Sequence, residues 1–125
     1  MPPIDMILLL TYPNKHPAAP SFFIQSKGEN AGRPLKTAIA NCFAVYSADE
    51  FLFEKVFVLF RQGKFKYYLI GSVIPFIRKK EVETVIKEAA KVRPEIARLI
   101  RLTDEIIEIK KQQISLLKQL QCSLK

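Results

Sequence analysis

From Glu95 to Leu124 the chain runs for thirty residues without a glycine or a proline. Such a run is expected to form one long helix, because nothing in it interrupts the backbone hydrogen-bond ladder. At ~1.5 Å per residue the helix spans roughly 45 Å, more than the remaining residues can cover. Written as heptads with Ile96 at a, its a and d positions are Ile96, Leu99, Thr103, Ile106, Lys110, Gln113, Leu117, Leu120 and Leu124. The e and g positions add Ile100, Leu102, Ile107, Ile109, Ile114 and Leu116, whereas b, c and f are almost wholly polar. Four apolar positions in seven make a stripe wider than a two-stranded seam, so the helix is expected to touch more than one partner. A second copy of the chain is the simplest cover. Ile96, Leu99, Ile106, Leu117, Leu120 and Leu124 are the expected oligomerisation residues of a homodimer. An antiparallel pairing would place Lys110 and Gln113 near its two-fold axis.

The 125 residues therefore divide into a compact domain over 1–93 and a helix for oligomerisation or partner binding over 94–125. The first 39 residues hold six of the eight prolines and two of the four glycines, which favours short extended pieces over helices. Met6 to Leu10, Phe22 to Gln25 and Asn41 to Tyr46 read as strands. Ser47-Ala-Asp-Glu50 has the spacing of a capping box and opens a helix from Ala48 to about Gln62, closed by a left-handed Gly63. Its apolar interior, Phe51 to Phe60, is expected to be the buried centre of the domain. Lys64 to Ile70 alternates as a strand with one solvated face, and Val73 to Ile77 is extended again around Pro75. A second helix is expected from about Lys79 to Val92, with Val82, Val85, Ile86 and Ala89 facing inward, and Pro94 ends or kinks it. The expected class is α+β, a small mixed sheet packed on a buried helix and followed by a long coiled-coil-like helix.

Charge is unevenly placed. Residues 1–60 carry five basic and five acidic groups, whereas Arg61 to Arg101 carries eleven basic groups against four acids, nearly the whole formal charge of +8. A field concentrated in this way suits a polyanion, and duplex DNA is the first expectation. A merely solvated basic face is the plainer reading of the same residues. Lys64, Lys66, Arg78, Lys79 and Lys80 are the candidate phosphate contacts. The polar stretch Ser26 to Lys36 holds Gly28 and Gly32, which admit positive φ, and could present Lys27, Arg33 and Lys36 to base edges. A structural turn explains it equally simply. Arg78, Lys79 and Lys80 stand at the start of the second helix, where the dipole disfavours cations unless Glu81 and Glu83, or a bound phosphate, offset them.

Catalytic constellations are missing from the sequence. The single histidine, His16, lies between prolines, so no nucleophile has an evident base beside it. Asp49 with Glu50 belongs to a helix start, and Asp104 with Glu105 belongs to the solvated side of the long helix. Cys42 and Cys122 lie 80 positions apart with neither a second cysteine nor His16 at ligand spacing, so reduced thiols and no bound metal are expected. No phosphate-binding loop or dinucleotide fingerprint occurs, and no cofactor is expected. The start of the chain lacks the positive flank of a signal peptide, and no apolar run approaches the ~20 residues of a membrane helix. A cytoplasmic, non-enzymatic binding protein without membrane partners is the expectation.

From Ala48 onward the order of elements resembles a target-recognition domain of the type I restriction-modification specificity subunit followed by its spacer helix. Phe51 to Phe60 matches a family helix, and Gly71-Ser-Val-Ile-Pro75 is similar to the family's glycine-containing strand. Leu102 to Leu124, with Leu116-Leu-Lys118, looks like the spacer. The resemblance implies a half-sized DNA-recognition protein, dimerised through the helix, with a methyltransferase subunit as a possible partner. Ser26 to Cys42 with Gly71 to Ile77 is also similar to a small bacterial family found around mobile elements, which implies no function. The rival expectation is a protein-interaction adaptor or inhibitor that uses the helix to capture a partner's coil.

Overall fold

The computed structural model describes residues 7–124. The expectations placed on Met1 to Met6, namely the absent signal peptide and the first strand's starting residue, lie outside the described residues. Four short strands, β1 (Leu8–Thr11), β2 (Phe22–Gln25), β3 (Pro34–Leu35) and β4 (Cys42–Tyr46), form one sheet in the order β1-β4-β2-β3. The class is α+β as expected, but every pairing is antiparallel, so the sheet is not mixed. Register places Leu9 and Phe22 on either side of Val45, and Ile24 opposite Phe43. Those five side chains form the sheet's share of the core.

Two helices cover that face. α1 (Leu52–Arg61) contributes Leu52, Val56 and Leu59, and α2 (Lys79–Ala89) contributes Val82, Val85, Ile86 and Ala89. Both stripes follow the three-and-four spacing that sets side chains on one side of a helix. α1 lies nearest β3 and α2 nearest β1, so the pair spans the sheet. α1 is less uniformly buried than its composition implies. Phe53, Phe57 and Phe60 remain half-buried along one flank, whereas Glu54 and Lys55 are buried.

The helix starts at Leu52 instead of Ala48, and the expected capping box does not form. Asp49 sets the boundary: its Oδ1 accepts the Phe51 N–H at 2.9 Å while its Oδ2 accepts from Lys55 Nζ at 2.7 Å. Ser47 Oγ accepts only the Asp49 N–H, at 3.1 Å. A carboxylate that joins a local turn to a buried ammonium outweighs a hydroxyl that makes the turn alone.

The expected strand Lys64 to Ile70 is absent. Gly63 at φ +79° turns the chain back, the Lys64 N–H bonds to the Leu59 carbonyl, and Lys66–Tyr68 forms a short 3-10 turn. One residue of this segment is fully buried, Phe65, which is 1% exposed and fills the space beneath Gly32, while Tyr68 and Leu69 pack half-buried against the same core. A Cβ on Gly32 would stand 2.2 Å from the Phe65 ring, and its φ is +97°, so both contact and backbone require glycine there. Ile70 and Phe76 make an isolated antiparallel bridge around an exposed turn, where Val73 and Ile74 point into solvent. The strand suggested for Gly71 to Pro75 by the resemblance is therefore that turn.

The third helix, α3, runs from Pro94 to Ser123 with proline at its first position, where the missing N–H costs nothing. Only Ala97 in it is buried. Every residue from Leu102 to Leu124 is exposed.

Candidate functional site

α3 is fastened to the domain at one place. Arg101 Nε donates to Glu54 Oε1 at 2.8 Å, and its Nη2 donates to the Glu50 carbonyl at 2.9 Å. The guanidinium also lies over the Phe51 ring, 4.4 Å from its centroid, with Arg98 at 5.6 Å from the same ring. The hydrogen bond to Glu54, then the nearby charges of Glu54, Glu50 and Glu105, hold the Arg101 pKa above its ordinary value. Glu54 Oε2 is buried without a hydrogen-bond partner, so the carboxylate has no competing contact. Sequence reasoning missed this clasp. Glu54 and Lys55 inside an otherwise apolar α1 were its only signal, since buried charges are retained when paired.

The clasp fixes which side of α3 faces the domain. With ~100° between successive residues, Ala97, Arg101, Asp104 and Glu108 share the near side and Glu105 stands at its border with the outward side; Arg101, Asp104, Glu105 and Glu108 line a groove between α3, α1 and β3. Ile106 stands nine residues beyond Ala97, about two and a half turns, and points away. The outward side carries Leu99, Leu102, Ile106, Ile109, Gln113, Leu116 and Leu120, whose spacing alternates strictly between three and four. That frame has one polar member, whereas the frame starting at Ile96 has Thr103, Lys110 and Gln113. Of the expected oligomerisation residues, Leu99, Ile106 and Leu120 stand on this seam. Leu117 and Leu124 flank it, and Ile96 lies toward its edge. All six are exposed, from 39% at Ile96 to 79% at Leu124.

The groove is open, about 910 Å³, with Phe53 and Phe57 among its lining residues. Arg33 and Lys36 belong to it, with Lys36 Nζ 5.5 Å from the Phe53 ring. They share it with Glu50, Glu54, Asp104, Glu105 and Glu108, and Arg101 is the remaining cation. Five acids against three bases give a field that suits a polyanion poorly. The loop that carries Arg33 is a structural turn. The Gly28 N–H donates to the Pro75 carbonyl at 2.7 Å and the Gly32 N–H to the Gln25 carbonyl at 2.7 Å, so neither is free for a phosphate.

The other candidate cations are elsewhere. Lys27 pairs in an isolated bridge with Phe76, which brings it to the turn that precedes Arg78, Lys79 and Lys80. Arg78 Nη2 donates to Glu81 Oε1 at 2.8 Å, so the first acid of α2 offsets the first cation. Lys64 stands 3.8 Å from Glu88, near the opposite end of α2. Lys27, Lys66, Lys79 and Lys80 are exposed and make no ion pair among the described residues. The structure thus brings Lys27 to the bridge at Phe76 just before Arg78, sets Lys79 beside Leu8, Leu9 and Glu83, places Lys64 toward the far end of α2, and leaves Arg33 and Lys36 in the acidic groove.

Among the described residues, no group of three or more His, Cys, Asp and Glu side chains could hold a metal ion. His16 Nδ1 accepts the Ala18 N–H at 3.2 Å, and its ring packs 4.3 Å from that of Tyr46. No described helix is long and apolar enough to cross a membrane.

A two-layer head carrying a helical arm defines the class: a small α+β protein with an exposed coiled-coil-like extension. The chain belongs to DUF6943, a family of unknown function, with a match over residues 9–125. No curated protein and no solved structure matches it.

Proposed function

We propose that the protein is a non-catalytic binding protein that assembles as a homodimer through α3. The observation that carries this reading is the run from Leu102 to Leu124, exposed throughout and bearing nine large aliphatic side chains. Burying such a side chain contributes on the order of 1.5 to 3 kcal/mol, and a contiguous apolar surface of this length is what an interface needs. The near side of α3 is already committed to the head through Ala97 and Arg101, so the outward stripe awaits a separate molecule. A second copy supplies the matching surface, because one gene encodes both sides of a symmetric contact. Light scattering is expected to give twice 14.3 kDa. Leu117→Asp with Leu120→Asp is expected to give a monomer with a folded head. A unmutated chain that stays monomeric at high micromolar concentration would refute the homodimer.

Duplex DNA is the second reading, and it rests on the surplus of seven positive charges between Arg61 and Arg101. The exposed run Arg78, Lys79 and Lys80, with Lys27 at the bridge just before it, supports phosphate contacts, and two heads in one dimer would present it twice. The likeness to restriction-modification specificity subunits belongs to this reading, as does a methyltransferase partner. Binding should weaken steeply with salt, with a log–log slope of roughly 0.9 per neutralised phosphate. Replacing Arg78, Lys79 and Lys80 by Ala should weaken all sequences about equally. A flat salt response would remove this reading and leave the dimer untouched.

A further inference from the structure

We infer that the partner helix on α3 is a second copy running parallel and in register. The inference rests on the homodimer proposed above and adds its orientation. Because the clasp turns Ala97 and Arg101 toward the head, the outward seam takes Leu99, Ile106, Gln113 and Leu120 at a, and Leu102, Ile109 and Leu116 at d. This frame places Glu105 at g and Lys110 at the following e. In a parallel pair, g of one helix lies beside the next e of its partner, so Glu105 meets Lys110 twice across the two-fold axis. Gln113 then faces its own copy at an a layer. An amide both donates and accepts, so two such side chains satisfy each other within the seam.

Reversing one helix loses both features. Leu102 would pair with Leu120 about an axis near Lys111, Ile109 would face Gln113, and the amide would be buried against hydrocarbon without a partner. The e positions would face each other in that arrangement, which brings the two Lys110 ammonium groups together instead of giving each a carboxylate. Asp104 and Glu108 do not alter the comparison, because both lie at the middle of the head side of α3, whereas Glu105, at the rim of the groove, also borders the seam. A shallow hollow of about 350 Å³ bordered by Gln113, Leu116, Leu117 and Leu120 lies on the seam, where a leucine of the second copy can insert. Parallel pairing sets both heads at the same end of the coil on opposite sides of it, since each is clasped to the face away from the seam.

The test is disulfide trapping of the full chain. Cys42 is buried and Cys122 is exposed, so Leu120→Cys in a Cys122→Ser background leaves one reactive thiol on the seam. Parallel pairing brings the two introduced thiols into one layer, and mild oxidation should convert most of the protein to a covalent dimer. In an antiparallel pair they would stand about 27 Å apart along the axis, beyond the reach of a disulfide. The double variant Leu102→Cys with Leu120→Cys would then cross-link where the single variant does not. A dimeric mass without cross-linking of the single variant overturns the orientation and keeps the homodimer. A monomeric mass overturns both.

Discussion

The head and the arm of this molecule solve opposite problems. In the head, Ile24, Val45, Val56 and Val82 have no exposed surface at all, and each is held by side chains from another element. In the arm beyond Arg101, residues of the same hydrophobic class, such as Ile106, Leu117 and Leu120, are more than half exposed. Composition does not separate the two regions; only the head has elements from elsewhere in the chain to cover its apolar groups. Stability of the head is therefore an intramolecular property, whereas in the proposed homodimer stability of the arm would depend on concentration, because its cover would come from a second copy.

Four substitutions break or sharpen that contrast. The largest effect is expected in the head: Phe65→Ala removes a ring packed against Gly32 and Phe60 and should lower unfolding stability by about 3 to 5 kcal/mol. Urea titration at two protein concentrations would show this loss to be concentration-independent; a shift with concentration would mean that head and arm unfold as one unit. Next is Asp49→Ala, which strands the buried Lys55 ammonium and frees the Phe51 N–H, for a loss of about 3 kcal/mol in the same assay. Little or no change would show that Lys55 reaches water in solution.

Smaller effects fall at and beyond the junction. Glu54→Ala unfastens Arg101, which is partly solvent-exposed, so about 1 kcal/mol is expected from the head together with faster amide exchange in the first turns of α3. Unchanged exchange there would mean that Ala97 and the Phe51 contacts hold the arm alone. The least effect is expected from Lys110→Glu, which should weaken the dimer several-fold at low salt and leave the head unchanged, with recovery when Glu105→Lys is added. Failure of the second change to restore affinity would count against a Glu105–Lys110 contact between copies.

Where the sequence was legible, a local rule was sufficient. Phe22–Gln25, the start and inward stripe of α2, and the thirty-residue α3 fall where spacing places them, because alternation and the three-and-four period act over neighbouring residues; α2 stops at Ala89, three residues before the expected Val92. Gly63 turns the chain as expected for the same reason. The misjudged strand at Lys64 to Ile70 shows the limit of such rules. Its alternation is real, but a strand also needs a neighbour with free backbone groups, and this segment finds only a single bridge, from Ile70 to Phe76, outside the sheet. The expected capping box failed similarly, because Asp49 was drawn to Lys55, a choice made only when α1 packs.

By itself the sequence determined that a long uninterrupted helix follows a compact α+β domain, that the helix carries more apolar surface than one chain covers, and that positive charge collects between Arg61 and Arg101. These follow from composition and period, which need no partner to be read. Tertiary structure alone decided which side of that helix faces outward. Glu54, forty-seven positions before Arg101, clasps the arm and commits its acidic side to the head. Rotation of a helix about its axis is invisible to its own period. A contact from elsewhere in the chain has to fix it, and that contact here leaves the seam from Leu99 to Leu120 open.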